Sequence, residues 1–463
     1  VELTLRWSQG SLLLVPPHGT AEGAVDPGLW WQWDLRADAW RAEGLHYRDA
    51  FAALWRGEKE GRWQLVDQAR GYGEVALAPV VHRTPRSYQQ EAVDAWDAAG
   101  RRGLVVLPTG AGKSHVAHMA MQQAGRSTLI VVPTLDLVHQ WYSGLLSFFG
   151  LDRVGLLGGG ERDLQPITVS TYDSAALQMA WIGHRFGLVI WDEVHHLASP
   201  TWLQAARMCM APWRLGLTAT PERSDGREGL LEEVVGPVVY QRGIRELAGD
   251  FLADYVVERW AVELTEDEAA IYHEARQTYL DFLRRSGVRL DGPQGWSGFL
   301  RRAMTSAEGR AAVRAWRLQR QVSLTCHHKL RLVETLLLRH AGERVLLFTA
   351  DNATVYALSR RLLLPAITHQ TPVRERREIL QRFADGTYRA ILTSKVLNEG
   401  VDVPEASVAI VLGGTGSVRE HVQRLGRVLR KVGDKRALLY ELVSAGTVEE
   451  NTSERRREHD AYR

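Results

Sequence analysis

The stretch VVLPTGAGKSHVAHM, Val105 to Met119, constrains the fold more than any other part of the chain. Leu104 to Leu107 is an apolar run of strand length, and the residues from His115 onward favour helix. Gly110 to Ser114 must therefore turn from strand to helix. Such a turn suits phosphate: the N–H groups left unsatisfied at a helix start point at the anion, and glycine lets the backbone come close. Lys113 is placed to reach the β- and γ-phosphates of a nucleotide and Ser114 to ligate Mg²⁺, with Thr109, Gly110 and Gly112 shaping the loop. The strict pattern has glycine five positions before GKS, where this chain has Leu107.

Short apolar runs continue after the loop: TLIVVP from Thr128, ITVST from Ile167, GLVIWDE from Gly187 and RLGLTAT from Arg214. Helix-like stretches separate them, which predicts a parallel sheet covered on both faces. The pattern restarts with RVLLFTA from Arg344, AITH from Ala366, RAILTS from Arg389, SVAIVLG from Ser407 and ALLYELV from Ala437, now without a phosphate loop. Two α/β lobes sharing one nucleotide are expected.

WDEVHH puts two carboxylates at the end of a buried strand, on the sheet edge where ligands bind in such folds. Asp192 is suited to hold Mg²⁺ and Glu193 to orient and deprotonate an attacking water, with His195 linking them to the neighbouring segment. In the second lobe QRLGRVLR sets Arg427 and Arg430 on one helical face. Their guanidinium groups are suited to charge developing on a γ-phosphate.

Of the 463 residues, 45% are hydrophobic and 24% charged, an ordinary globular balance. A net charge of only +2 means that any grip on nucleic acid must come from local basic patches. Cys209 and Cys326 are too few for a disulfide framework, and CHHK at Cys326 lacks the four spaced ligands of a zinc site. No run approaches ~18 apolar residues. A cytoplasmic protein without membrane attachment is expected.

RSYQQ, LPTGAGKS, VVPTLDLVHQW, TVSTYDS, WDEVHH, GLTATPERSDGRE, SKVLNEGVDVP and QRLGRVLR follow the order seen in superfamily 2 helicases. DEVHH and QRLGRVLR resemble the xeroderma pigmentosum group B (XPB) helicases, above all the compact archaeal and bacterial forms. The resemblance implies two RecA-like lobes, a helical thumb-like insertion and a small α+β N-terminal domain. The expected boundaries are 1–82 for the damage-recognition-like domain, 83–250 for lobe 1, 251–264 and 327–452 for lobe 2, 265–326 for the insertion and 453–463 for a charged tail. The resemblance also assigns Arg86, Gln89, Gly400, Asp402 and Gln423 to nucleotide, and Thr218 and Thr220 to coupling. Arg223 and Asp225 match a DNA-facing loop in which the family has Arg-Glu-Asp, whereas this chain has Ser224 at the centre.

Arg310, Arg314 and Arg317 recur at helical spacing within the insertion, with Arg320 close to their stripe, and could track a phosphate backbone. The N-terminal VELTLRW and SLLLVP read as a hairpin. Trp30, Trp31, Trp33, Trp40 and Trp55 come next; such tryptophans build small cores, or stack on bases where exposed. His115 and His118 read as helix packing or surface residues. The resemblance implies an ATP- and Mg²⁺-dependent 3′-to-5′ helicase or translocase acting on forked, bubble or damaged DNA in nucleotide excision repair; by itself the chain is expected to be a monomer. A DNA-dependent ATPase switch that recruits or regulates a structure-specific nuclease partner, without processive unwinding, is the alternative.

Overall fold

The structure is a computed structural model that describes residues 1–19, 25–219, 228–247, 254–288, 290, 295–394, 406–413 and 436–450. The chain divides into two compact units, Val1–Pro108 with Gly112–Arg242 and Thr109–Ala111 with Gly243–Arg463. No helix among the described residues is long and apolar enough to cross a membrane.

The first unit opens with the expected hairpin, β1 (Glu2–Ser8) and β2 (Ser11–Val15), in a register that sets Leu5 against Leu14. Gln9 and Gly10 both have positive φ, as the tightest hairpin turns require. The sheet is larger than a hairpin. β3 (Gln32–Asp34), β4 (Ala39–Glu43), α1 (Tyr47–Lys59) and β5 (Gln64–Asp67) complete it in the order β3-β4-β2-β1-β5, with β5 parallel to β1. Alternation along β1 and β2 turns Leu3, Leu5, Leu12 and Leu14 inward, into a core shared with Tyr47, Ala50 and Leu54 of α1. Trp31 and Trp40 are buried in that core, and Trp30 and Trp33 pack against it. Trp55 stays 47% exposed, with the Lys59 ammonium 5.2 Å from its ring centre.

This small sheet is fastened to the rest of the first unit. Trp7 donates its indole N–H to Ala180 O at 3.1 Å, Arg102 reaches Leu45 O at 3.0 Å and Arg207 meets Glu43 at 3.3 Å. Residues 71–81 form a strap: Gly71, Val75 and Val80 donate backbone N–H groups to His184, Gly125 and Phe148.

The first lobe contains α2 (Ser87–Ala98), β6 (Arg102–Val106), α3 (Lys113–Ala124), β7 (Thr128–Val132), α4 (Leu135–Phe149), β8 (Gly155–Gly158), β9 (Glu161–Asp163) and β10 (Ile167–Thr171). It continues through α5 (Tyr172–Ile182), β11 (Leu188–Asp192), α6 (Pro200–Met208), β12 (Trp213–Thr218), α7 (Glu228–Val234) and β13 (Val238–Gln241). The strand order is β13-β6-β12-β11-β7-β10-β8-β9, parallel apart from the β8–β9 hairpin. Every residue of β7 and β11 is buried, the signature of a sheet covered on both faces.

The second unit contains α8 (Ile244–Leu247), β14 (Asp254–Val262), α9 (Glu266–Ser286), α10 (Gly295–Met304), α11 (Ala307–Thr325), α12 (His327–Arg339), β15 (Val345–Thr349) and α13 (Asn352–Leu362). β16 (Ala366–Ile367), α14 (Val373–Ala384), β17 (Ala390–Thr393), β18 (Val408–Leu412) and β19 (Arg436–Ser444) complete it. Its sheet, β14-β19-β18-β15-β17-β16, is parallel at every pairing. α9 to α11 leave the sheet after β14 and pack on one another through Tyr279, Phe299 and Ala303. Thr265 and Glu268 cap the start of α9 reciprocally, a box that fixes where the helical excursion begins. Each unit therefore contains an α/β lobe built on a largely or wholly parallel sheet.

Candidate functional site

β6, β12 and β11 are neighbours, with Val106 beside Thr218 and Leu217 beside Asp192. The ends of these strands gather the phosphate loop, the acid pair and Thr218 at one carboxyl edge. β6 and β11 lie two strand spacings apart, about 10 Å, which leaves room for a phosphate between loop and carboxylate.

Within the loop, Gly110 and Gly112 take φ values of 86° and 80°. At Gly112 a Cβ would also lie 2.6 Å from Gln89 Nε2, so conformation and space both require glycine. Lys113 opens α3 and donates from Nζ to Leu107 O at 3.2 Å, while Ser114 is exposed. The Thr109 hydroxyl is buried without a hydrogen-bond partner among the described residues. Gln89 takes the Arg86 N–H at 3.0 Å, and its Nε2 lies 3.5 Å from Gly112 O. Arg86 donates to Tyr88 OH at 3.1 Å. These contacts tie the start of α2 to the phosphate loop.

The acid pair is held from several sides. Asp192 Oδ2 accepts the Trp141 indole N–H at 2.9 Å, and Oδ1 accepts the Glu193 N–H at 3.0 Å. Tyr172 donates its hydroxyl to Asp192 O at 3.0 Å. Full burial beside two carboxylates raises the Tyr172 phenol well above its ordinary range, so it remains a neutral donor. Glu193 sits in the left-handed region at φ 48° and ψ 52°. For a residue with a side chain that conformation costs about 1–2 kcal/mol. The fully buried His195 ring is 3.1 Å from Thr218 Oγ1 and 3.5 Å from Glu193 Oε2 through the same Nδ1. One imidazole thus stands between the acid pair and the end of β12.

The edge therefore brings together Thr109, Gly110, Gly112, Lys113, Ser114, Arg86, Gln89, Asp192, Glu193, His195 and Thr218. Thr220, Arg223, Ser224, Asp225, Gly400, Asp402, Gln423, Arg427 and Arg430 lie outside the described residues. Arg310, Arg314 and Arg317 are exposed on α11 in the second unit, whereas Arg320 is half-buried, 3.5 Å from Asp351. His118 packs its ring on Phe148 at 4.6 Å, as helix packing requires.

Sequence gives Trp141 and Tyr172 no role at the site. The one signal in it is the amphipathic spacing of α4, which buries Leu137, Val138, Trp141 and Leu145 on one face. Which carboxylate that face meets depends on how α4 lies on the sheet.

Residues 82–223 match the family model described as the res subunit of type III restriction enzymes. Residues 310–460 match the ERCC3/RAD25/XPB C-terminal helicase model. The DNA 3′-5′ translocase XPB2 of Sulfurisphaera tokodaii is 40% identical over 436 residues, which cover 94% of this chain and 97% of that protein. The DNA 3′-5′ helicases XPB of Kineococcus radiotolerans and Mycobacterium tuberculosis are 34% and 30% identical, over 79% and 84% of this chain. The chain spans only 61% and 66% of the length of these two bacterial proteins. In fold, the Pyrococcus furiosus Hef helicase domain matches with a TM-score of 0.54 at 19% identity, covering 80% of this chain and 97% of that domain. With relatedness of this extent joined to a phosphate loop and an acid pair on one sheet edge, the chain belongs to the XPB family of helicases and translocases.

Proposed function

We propose that this protein is an ATP-dependent DNA helicase or translocase that moves 3′ to 5′ and opens or remodels duplex DNA during nucleotide excision repair. The observation that carries this reading is the convergence of Lys113, Asp192, Glu193 and Thr218 on adjacent strand ends, with His195 between the last two. Lys113 exchanges Leu107 O for the phosphates, and Glu193 takes the proton of the attacking water. Hard oxygen donors from Ser114 and Asp192 fit Mg²⁺. Asp192 accepts at both carboxylate oxygens, and the several lone pairs of an ionised carboxylate leave capacity for an ion or its water beside those bonds. The ion, when bound, neutralises charge on the phosphates.

His195 touches both Glu193 and Thr218, so a change at the acid pair reaches the segment that comes after β12. That linkage supports coupling of hydrolysis to DNA movement. Arg427 and Arg430, with Gln423, Gly400 and Asp402, supply the second lobe's share of the nucleotide site by their match to the family's motifs. Arg310, Arg314 and Arg317 offer phosphate contacts on α11, with Arg223 and Asp225 as further DNA contacts by their match to the family's motif.

The test is steady-state ATP hydrolysis without nucleic acid and with single-stranded DNA, forked duplex or RNA, followed by strand displacement on the fork. DNA should stimulate hydrolysis, and Lys113→Ala should abolish it. Hydrolysis without strand release would replace the helicase by a translocase or switch, and no stimulation by any DNA would overturn the motor.

A further inference from the structure

Between α9, α11 and the turn after β19 lies a cavity of about 330 Å³, the size of a small-ligand pocket. It lies wholly within the second unit, and no residue of the phosphate loop lines it. Tyr272, Tyr279 and Trp316 give it aromatic walls, and Arg276 and Arg320 add positive charge. Gln319 and Glu449 also line it, and each carries a buried side-chain oxygen, Oε1, without a hydrogen-bond partner among the described residues.

The orphaned oxygens belong to well-anchored groups. Glu449 Oε2 accepts from the fully buried Lys329 ammonium at 2.7 Å and from Ser444 N at 3.0 Å, which fixes the carboxylate while leaving Oε1 unused. A Cβ on Gly413 would come within 2.6 Å of that Oε1, so only glycine fits against the carboxylate on that side. Gln319 is only 5% exposed. Each unsatisfied buried acceptor costs about 1–3 kcal/mol, recovered by a ligand that donates to it.

We propose that this cavity binds a single unpaired nucleobase: the ring stacks among Tyr272, Tyr279 and Trp316, its N–H edge donates to Gln319 Oε1 and Glu449 Oε1, and its phosphate meets Arg276 and Arg320. Aromatic walls accept any base, since every base has a π-face. Two acceptors at the floor select among them. Guanine donates from N1–H and its exocyclic amine together, whereas thymine offers one N–H flanked by two carbonyls that repel a carboxylate. A strand is the occupant we assign because Arg320, which lines the cavity, borders the exposed stripe of Arg310, Arg314 and Arg317 on the same helix, so a backbone following that stripe passes the cavity at Arg320. This last step rests on the DNA-motor reading.

The experiment is calorimetric titration of the full chain, its phosphate-loop site saturated with ADP and Mg²⁺, with dGMP, dTMP and guanosine. Wild-type protein, Gln319→Leu and Arg276→Ala are compared, with thermal melts as the check on folding. Arg276 is half-exposed and makes no ion pair among the described residues, so its loss leaves the fold intact. dGMP should bind at least about tenfold more tightly than dTMP, the ratio set by one satisfied buried acceptor. Gln319→Leu should erase that ratio. Arg276→Ala should weaken dGMP several-fold and leave guanosine unchanged. Equal binding of dGMP and dTMP, or dGMP binding unchanged in both variants, overturns the pocket. DNA-stimulated ATP hydrolysis is measured on the same proteins. Stimulation without selective dGMP binding removes the pocket and leaves the motor; selective dGMP binding without stimulation does the reverse.

Discussion

At Glu193 a carboxylate is held in a backbone conformation that glycine would adopt without strain. Retention of a side chain there, beside an Asp192 fixed by Trp141 and its own neighbour's N–H, fits a group needed for chemistry rather than for the turn. Glu193→Gln keeps the shape and removes the base. ATP turnover should fall by about 10²–10⁴-fold while nucleotide affinity, measured by equilibrium binding, stays near wild type. The acid pair and the loop around Lys113 were legible because each is contiguous in the chain: an apolar strand run followed by polar residues fixes both position and edge. Trp141 and Tyr172 were not, since helix periodicity says that a side chain faces inward without saying what it meets.

The helices and strands show how far pattern alone reaches. Apolar runs located β6, β7, β10, β11 and β12 and, in the second sheet, β15 to β19 but not β14. The β8–β9 hairpin, β13 and the parallel addition of β5 are short or weakly patterned, and their pairing is a long-range choice. Arg214 illustrates the same limit. On β12 it looks like an ordinary basic residue, yet it is fully buried and donates to Ala206, Cys209, Ala211 and Val234 carbonyls around the ends of α6 and α7. Arg214→Met would orphan four acceptors, and chemical denaturation should report a loss of about 3–5 kcal/mol. On α11 the arginine stripe is exposed. Replacing Arg310, Arg314 and Arg317 together by alanine should weaken binding to all DNA sequences alike and reduce the slope of log affinity against log salt by about 2–3.

Global stability depends on how the cores close. His118 is buried against Phe148, and desolvation pushes its pKa down to about 3 from 6.5. Unfolding releases the imidazole to its ordinary value, so below pH 6.5 the unfolded chain binds a proton that the folded chain refuses. Stability therefore drops as pH falls from about 6.5 toward 3, by up to about 1.4 kcal/mol per pH unit from this residue. Burial lowers His46, His115 and His184 as well and adds to the slope. His118→Leu should flatten it in denaturant melts taken between pH 7 and about pH 4. The sequence by itself determined two α/β lobes, the phosphate loop, the acid pair and the arginine stripe, because hydrophobic period and turn residues act over a few positions. Only the tertiary structure decided that the N-terminal sheet is pinned through Trp7, that Trp141 fixes Asp192, and that Gln319 and Glu449 leave acceptors open beside Trp316. Those outcomes join residues tens to hundreds of positions apart, and close packing of whole elements, rather than local preference, sets which polar groups find partners.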